Sequence, residues 1–193
     1  MSRLPDLRPD GLSDEQRRLY DAVAGGDRAR DASFRLTEAD GSLVGPFGAL
    51  LLNPSLGDAL QKVGAAIRFG GTLDPAVREV AILAVAAEHR SAFEWWAHEP
   101  IARRAGLTNA QITALRAGEA PAFDDGAATA AHAFSTALIA GGRPDDATFE
   151  TAREALGLDG IMELVTLVGY YTLLAQLMDT FDIGVPSGET SPF

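Results

Sequence analysis

From Gly48 to Thr180 apolar residues recur at helical spacing, and glycine, proline and capping residues cut that pattern into helix-length pieces. Asn53-Pro54-Ser55 opens a helix carrying Leu56, Leu60, Val63 and Ile67, and Gly70-Gly71 stops it. Asp74-Pro75 then supplies an N-cap and a proline at the first helical position. The stretch 76–88 that follows is apolar on most sides, which predicts a buried central helix. Further helices are predicted over 91–105, 108–117, 124–140, 145–156 and 161–180, the last strongly apolar. Upstream, Ser13 with Gln16 caps a helix over 13–24 that places Leu19, Tyr20 and Val23 on one face. Residues 1–12, with Pro5, Pro9 and Gly11, read as an extended arm. One candidate β-hairpin lies in 27–48: residues 34–36 and 42–44 flank Asp40-Gly41, and Pro46 closes the segment. Arms so short cannot make an independent sheet, so an irregular excursion fits equally well. The pattern defines an all-α, single-domain bundle of roughly eight helices. It divides into a leading segment 1–44, a helical domain 45–183 and a tail 184–193.

With 193 residues the chain can bury a core without metal or disulfide staples. It has no cysteine, which removes disulfides, thiolate metal sites, thiol nucleophiles and cysteine redox cycles. Its 27 acidic residues against 16 Lys and Arg give a formal charge of −11. Such a surface repels phosphate backbones, so no nucleic-acid partner is expected. No apolar run reaches the roughly 18–20 residues of a bilayer span, and the start MSRLPDLRPD lacks a signal-peptide core. The expectation is a cytoplasmic protein with no membrane partner. Helices 76–88 and 161–180 carry more apolar face than one compact copy needs, which predicts a homo-oligomer.

The unusual residues concentrate in one place. Both tryptophans and two of the three histidines lie in His89-Arg90-Ser91-Ala-Phe-Glu94-Trp95-Trp96-Ala-His98. On a helix Ser91, Glu94 and His98 fall within about 60° of one another. Glu94 and His98, four apart, are spaced for a hydrogen bond, the arrangement an acid/base pair needs. Trp95 and Trp96 would supply low-dielectric walls and raise the pKa of Glu94. Ser91 and Glu94 equally spell a capping box, in which the glutamate is spent on the backbone. Glu79 lies twelve residues before Ser91, about 18 Å along an unbroken helix. It meets His98 only if the chain breaks near residues 89–90; otherwise it is a solvent-facing glutamate. A metal set of Glu94, His98 and His89 is a weaker alternative, because His89 projects on the other side of Glu94.

These residues carry a resemblance. Glu79, eleven spacers, Ser91, two spacers, Glu94, three spacers and His98 keep the spacing of the carboxymuconolactone decarboxylase family, which includes the alkylhydroperoxidase-D-like proteins. The similarity extends through Phe47-Gly, Asn53-Pro54-Ser55-Leu56, Leu73-Asp-Pro75 with Arg78-Glu79, Ala105-Gly106-Leu107-Thr108, and Glu163-Leu-Val with Gly169-Tyr170-Tyr171. It covers about 45–183. The resemblance implies an alkylhydroperoxidase-D-like helical fold, active sites near subunit contacts, homo-oligomers (dimers, trimers or hexamers), and a proton relay at Glu79 and His98. Ser91 and Glu94 stand where family peroxidases carry two cysteines, so the thiol peroxidase cycle has no atoms to run on.

What the resemblance leaves is acid/base chemistry without a cofactor, on a small carboxylated or enolisable lactone-like substrate. His98 is the expected proton donor, Glu94 its orienting partner or second acid, and Glu79 a relay. Trp95, Trp96 and Phe47 are the expected apolar wall, and Arg78 and Arg90 either hold a second anionic group or are surface cations pairing Glu79 or Glu88. Tyr170 is a candidate substrate contact, since adjacent tyrosines point about 100° apart and at most one faces a given pocket. Lactone hydrolysis or isomerisation in the same pocket, or a non-catalytic ligand-binding oligomer, are the competing expectations. An enclosed cavity walled by tryptophan around His98 favours catalysis; a solvent-facing His98 beside a capping Glu94 favours the inert reading. His98→Ala is expected to abolish turnover while shifting the melting temperature by only a few degrees.

Overall fold

In the computed structural model of the chain, residues 2–26 and 34–193 are described. A single 3-10 turn, Pro9–Gly11, leads into α1 (Asp14–Ala24). The Ser13–Gln16 capping box is formed, each side chain bonding the other's backbone N–H. The candidate hairpin reduces to one antiparallel bridge between Thr37 and Leu43 among the described residues, and 27–33 lie outside them. Asp40 closes its tip by accepting from the backbone N–H and hydroxyl of Ser42. Pro46 does not end this segment as expected. It starts a short buried helix, α2 (Pro46–Leu50), because a proline at the first helical position gives up only an N–H that would be orphaned anyway.

The remaining helices are α3 (Pro54–Phe69), α4 (Pro75–Glu88), α5 (Ala92–Arg104), α6 (Asn109–Arg116), α7 (Gly126–Ile139) and α8 (Asp146–Thr180). Asp74, Thr108, Asp125 and Asp145 cap α4, α6, α7 and α8 with their side chains. Among the described residues the chain is an all-α bundle. α4 is its axis. It packs against α5, α6, α7 and α8, and Val80, Ala81, Ile82, Leu83, Val85 and Ala86 are completely enclosed. A smaller cluster of Leu19, Val23, Leu36, Leu43, Phe47, Leu50 and Leu51 joins α1, the bridge segment and α2.

α8 is broken at Gly157, whose φ of 71° is helical for neither flank, so the two predicted helices meet there at a kink. By length and composition α8 does reach the dimensions of a bilayer span, contrary to expectation, with a window of mean hydropathy 1.4. Half of that window is buried in the fold, where α8 packs on α4 and α7. The other side leaves Leu158, Met162, Val165 and Leu173 exposed.

Candidate active site

The site is made by how α4 ends. Glu88 is its last helical residue, His89 is the C-cap, and Arg90 takes a left-handed φ of 48°. The Arg90 N–H bonds the carbonyl of Ala87, and the Ser91 N–H reaches back to Ala86 at 2.9 Å. This is a Schellman closure, with arginine where glycine is usual. It turns the chain sharply, and Ser91 becomes the N-cap position of α5. The turn also decides the fate of Glu94. A capping box needs the Ser91 N–H as donor to the glutamate, but that N–H is already spent on Ala86. Ser91 makes no side-chain cap, and the Glu94 carboxyl is left for other work.

Across the turn, Glu79 of α4 meets His98 of α5. His98 Nδ1 lies 2.8 Å from Glu79 Oε2, with both side chains buried. Glu79, not Glu94, is therefore the carboxylate that meets the imidazole; the expected Glu94–His98 hydrogen bond is absent, since neither Glu94 oxygen has a partner. With Glu79 ionised, Nδ1–H donates to it and Nε2 is free to take or give a proton. Tyr171 of α8 sets its ring against the imidazole edge-on, centroids 5.2 Å apart. Tyr170, the expected contact, sets its ring edge-on against Tyr171 with centroids 5.5 Å apart, and the ring against His98 is that of Tyr171. Only the docking of α8 on α4 and α5 selects between two adjacent tyrosines.

Glu94 is 2 % exposed, and neither carboxyl oxygen has a hydrogen-bond partner; the buried Ser91 hydroxyl has none either. Burial pushes the Glu94 pKa up to about 8, and the nearby Ser91 hydroxyl offsets this only in part without reaching hydrogen-bonding geometry. Near neutral pH Glu94 is thus a carboxylic acid. The site combines a neutral acid, an imidazole and an orienting carboxylate.

The tryptophans do not wall it. Trp95 is wholly buried, donates to Glu99 at 2.6 Å, and lies under the Arg116 guanidinium and against Phe193. Trp96 stacks with Phe34 and Phe93 and donates to Glu189 at 3.0 Å. Phe47 belongs to the smaller apolar cluster around α1 and α2. Arg90 is exposed and sits over the Phe193 ring. Arg78 turns into a groove between α3 and α8, which Glu79, Glu94 and His98 do not line. His89 is exposed beyond the end of α4, away from buried His98, and no three metal-ligating side chains gather among the described residues. Four clefts of 310–500 Å³ are lined by residues other than Ser91, Glu79, Glu94 and His98. Burial of these four side chains encloses the site, with His98 neither beside a tryptophan nor in solvent.

Fold and site together define an alkylhydroperoxidase-D-like helical bundle with a buried Glu79–His98 pair and a buried Glu94 on either side of one turn. Residues 54–137, which contain Glu79, Ser91, Glu94 and His98, match the model of the Carboxymuconolactone decarboxylase family. No curated protein matches the chain. Among solved structures, it is similar to an alkylhydroperoxidase AhpD core, an uncharacterized peroxidase-related protein from Ralstonia eutropha JMP134. That likeness has a TM-score of 0.74 at 18% identity, covering 96% of this chain and 93% of the other. It is also similar to the debrominase Bmp8. The apo form gives a TM-score of 0.64 at 14% identity, covering 90% and 85% of the two chains. A cysteine-to-alanine variant of Bmp8 in complex with 2,3,4-tribromopyrrole gives 0.71 at 15% identity, covering 97% and 95%.

Proposed function

We propose that the chain is an enzyme of this superfamily that removes CO2 from a small carboxylated, enolisable substrate by acid/base chemistry. The observation that carries this reading is Glu94: a buried acid, neutral near pH 7, with both oxygens unpartnered, on the same helix face as an imidazole that Glu79 already orients. A buried carboxylate would repel an anionic substrate, whereas a neutral acid accepts one and can donate a hydrogen bond. In the reaction the bond to the carboxylate breaks and CO2 leaves. Its electron pair moves to the α-carbon and the adjoining carbonyl. Glu94 and the Ser91 hydroxyl donate to the developing enolate oxygen. The His98 imidazolium, held by Glu79, delivers its Nε2 proton to carbon and is reprotonated from water. The Bmp8 complex supports a ligand of single-ring size in this fold. Thiol peroxidation lacks its atoms, since the sequence has no cysteine.

We also propose that copies associate through the exposed α8 stripe of Leu158, Val165 and Leu173. Substrate reaches the closed site only when a covering group moves, and Tyr171 is the ring in contact with His98. Screening β-keto acids and carboxylated lactones for CO2 release in deuterated water tests the chemistry. Release with deuterium on the α-carbon, lost in His98→Asn, is expected. Release undiminished by His98→Asn, or none from any compound, overturns it.

A further inference from the structure

The cleft beside the site has a chemistry of its own. It holds about 310 Å³ between α3, the 70–73 turn, α4 and α8. Ile67, Leu73 and Leu167 form its walls, and three polar side chains enter it: Arg78, Glu163 and Thr166. Two of these are already occupied. Glu163 accepts from the Thr72 N–H and hydroxyl, each at 2.7 Å, and from the Leu73 N–H at 3.2 Å. Burial alone would raise its pKa, but these bonds and the Arg78 charge outweigh it and hold the carboxyl below its ordinary value. Gly71 makes the fit possible, because a Cβ there would stand 2.5 Å from Glu163 Oε2. The Thr166 hydroxyl donates to the Met162 carbonyl.

Arg78 is different. Its guanidinium has no hydrogen bond and no ion pair within 4 Å among the described residues, and the side chain is half-buried. A planar fork of five N–H donors beside an apolar wall is complementary to a carboxylate with an apolar tail. Ionised Glu163 on the same groove repels a dianion more than a monoanion. We propose that this groove binds a small amphipathic monocarboxylate, its head on Arg78 and its tail along Ile67, Leu73 and Leu167. The inference does not rest on turnover at His98.

Calorimetric titration of the full chain at pH 7 with octanoate, hexanoate and neutral octanamide tests it. Octanoate should bind at least tenfold tighter than octanamide. Each methylene should tighten binding by about fourfold, placing hexanoate about 15-fold below octanoate. Arg78→Gln should reduce octanoate to the level of the amide, and Arg78→Lys should fall between, which guards against a misfolded glutamine variant. Ala66→Phe, at an exposed α3 position on the groove, should block binding without changing the melting temperature. His98→Asn should bind octanoate normally. Equal binding of acid and amide, no effect of Arg78→Gln, or loss of binding in His98→Asn would each overturn the assignment. So would a change of particle mass in Ala66→Phe with no octanoate heat in the unaltered chain, which would give the groove to a second copy.

Discussion

Glu94 keeps its proton because folding removes it from water and offers no hydrogen bond in return. The consequence for stability has a definite sign. The folded pKa, about 8, lies above the ordinary value of 4.5, so between those pH values the native state holds a proton that the unfolded state releases. The contribution of Glu94 to stability should therefore be fully present below about pH 4.5, fall by about 1.4 kcal/mol per pH unit as pH rises, and level off beyond about 8. Urea unfolding of the unaltered chain and of Glu94→Gln at pH 6 and 8 measures this, and the glutamine variant should lose the slope. Rates should show the same group, with a limb falling above about pH 8 that disappears in Glu94→Gln. The buried pair carries another prediction. His98→Ala should cost more stability than the few degrees expected from sequence, since it strands the Glu79 carboxylate in a dry interior. It should cost about 3–5 kcal/mol. His98→Asn, which retains a donor for Glu79, should cost clearly less in a thermal melt while still abolishing turnover.

The turn between α4 and α5 brings Glu79 and His98 together, and its weak point is Arg90. A left-handed backbone suits glycine and strongly disfavours β-branched residues. Arg90→Gly and Arg90→Val both remove the contact with Phe193, so their difference isolates the backbone. The valine variant should be at least about 1 kcal/mol less stable by denaturant unfolding, and its Glu79–His98 pair should loosen with it. The helix starts and stops were legible in the chain for a local reason. Asp74-Pro75, Thr108 with Gln111, and Asp145 act on backbone groups within three residues of themselves. The helix opened by Pro46 escaped because proline both ends and begins helices. The capping box at Ser91 was spelled correctly in sequence yet not formed, because the preceding helix had claimed its N–H.

Across the whole molecule, α4 is spent on the core, but α8 is not: Leu158, Val165 and Leu173 stay exposed on one copy. Light scattering on a sizing column should show an oligomer, and Val165→Glu with Leu173→Glu should shift it toward monomer with little change in helical signal. A monomer at every concentration would remove that stripe from any role in assembly. Composition and periodicity were sufficient for the helical class, because caps and breakers act on neighbours close in the chain, whereas the break before Ser91 and the meeting of Glu79 with His98 stood in the sequence as one of two open readings. Which tyrosine touches His98, where the tryptophans face, why Phe47 and Arg90 stand apart, and that Arg78 enters a groove were decided only by helix packing. Those contacts join residues dozens of positions apart. A rotation of one helix by a single residue, about 100°, exchanges one side chain for its neighbour at no cost visible in local sequence.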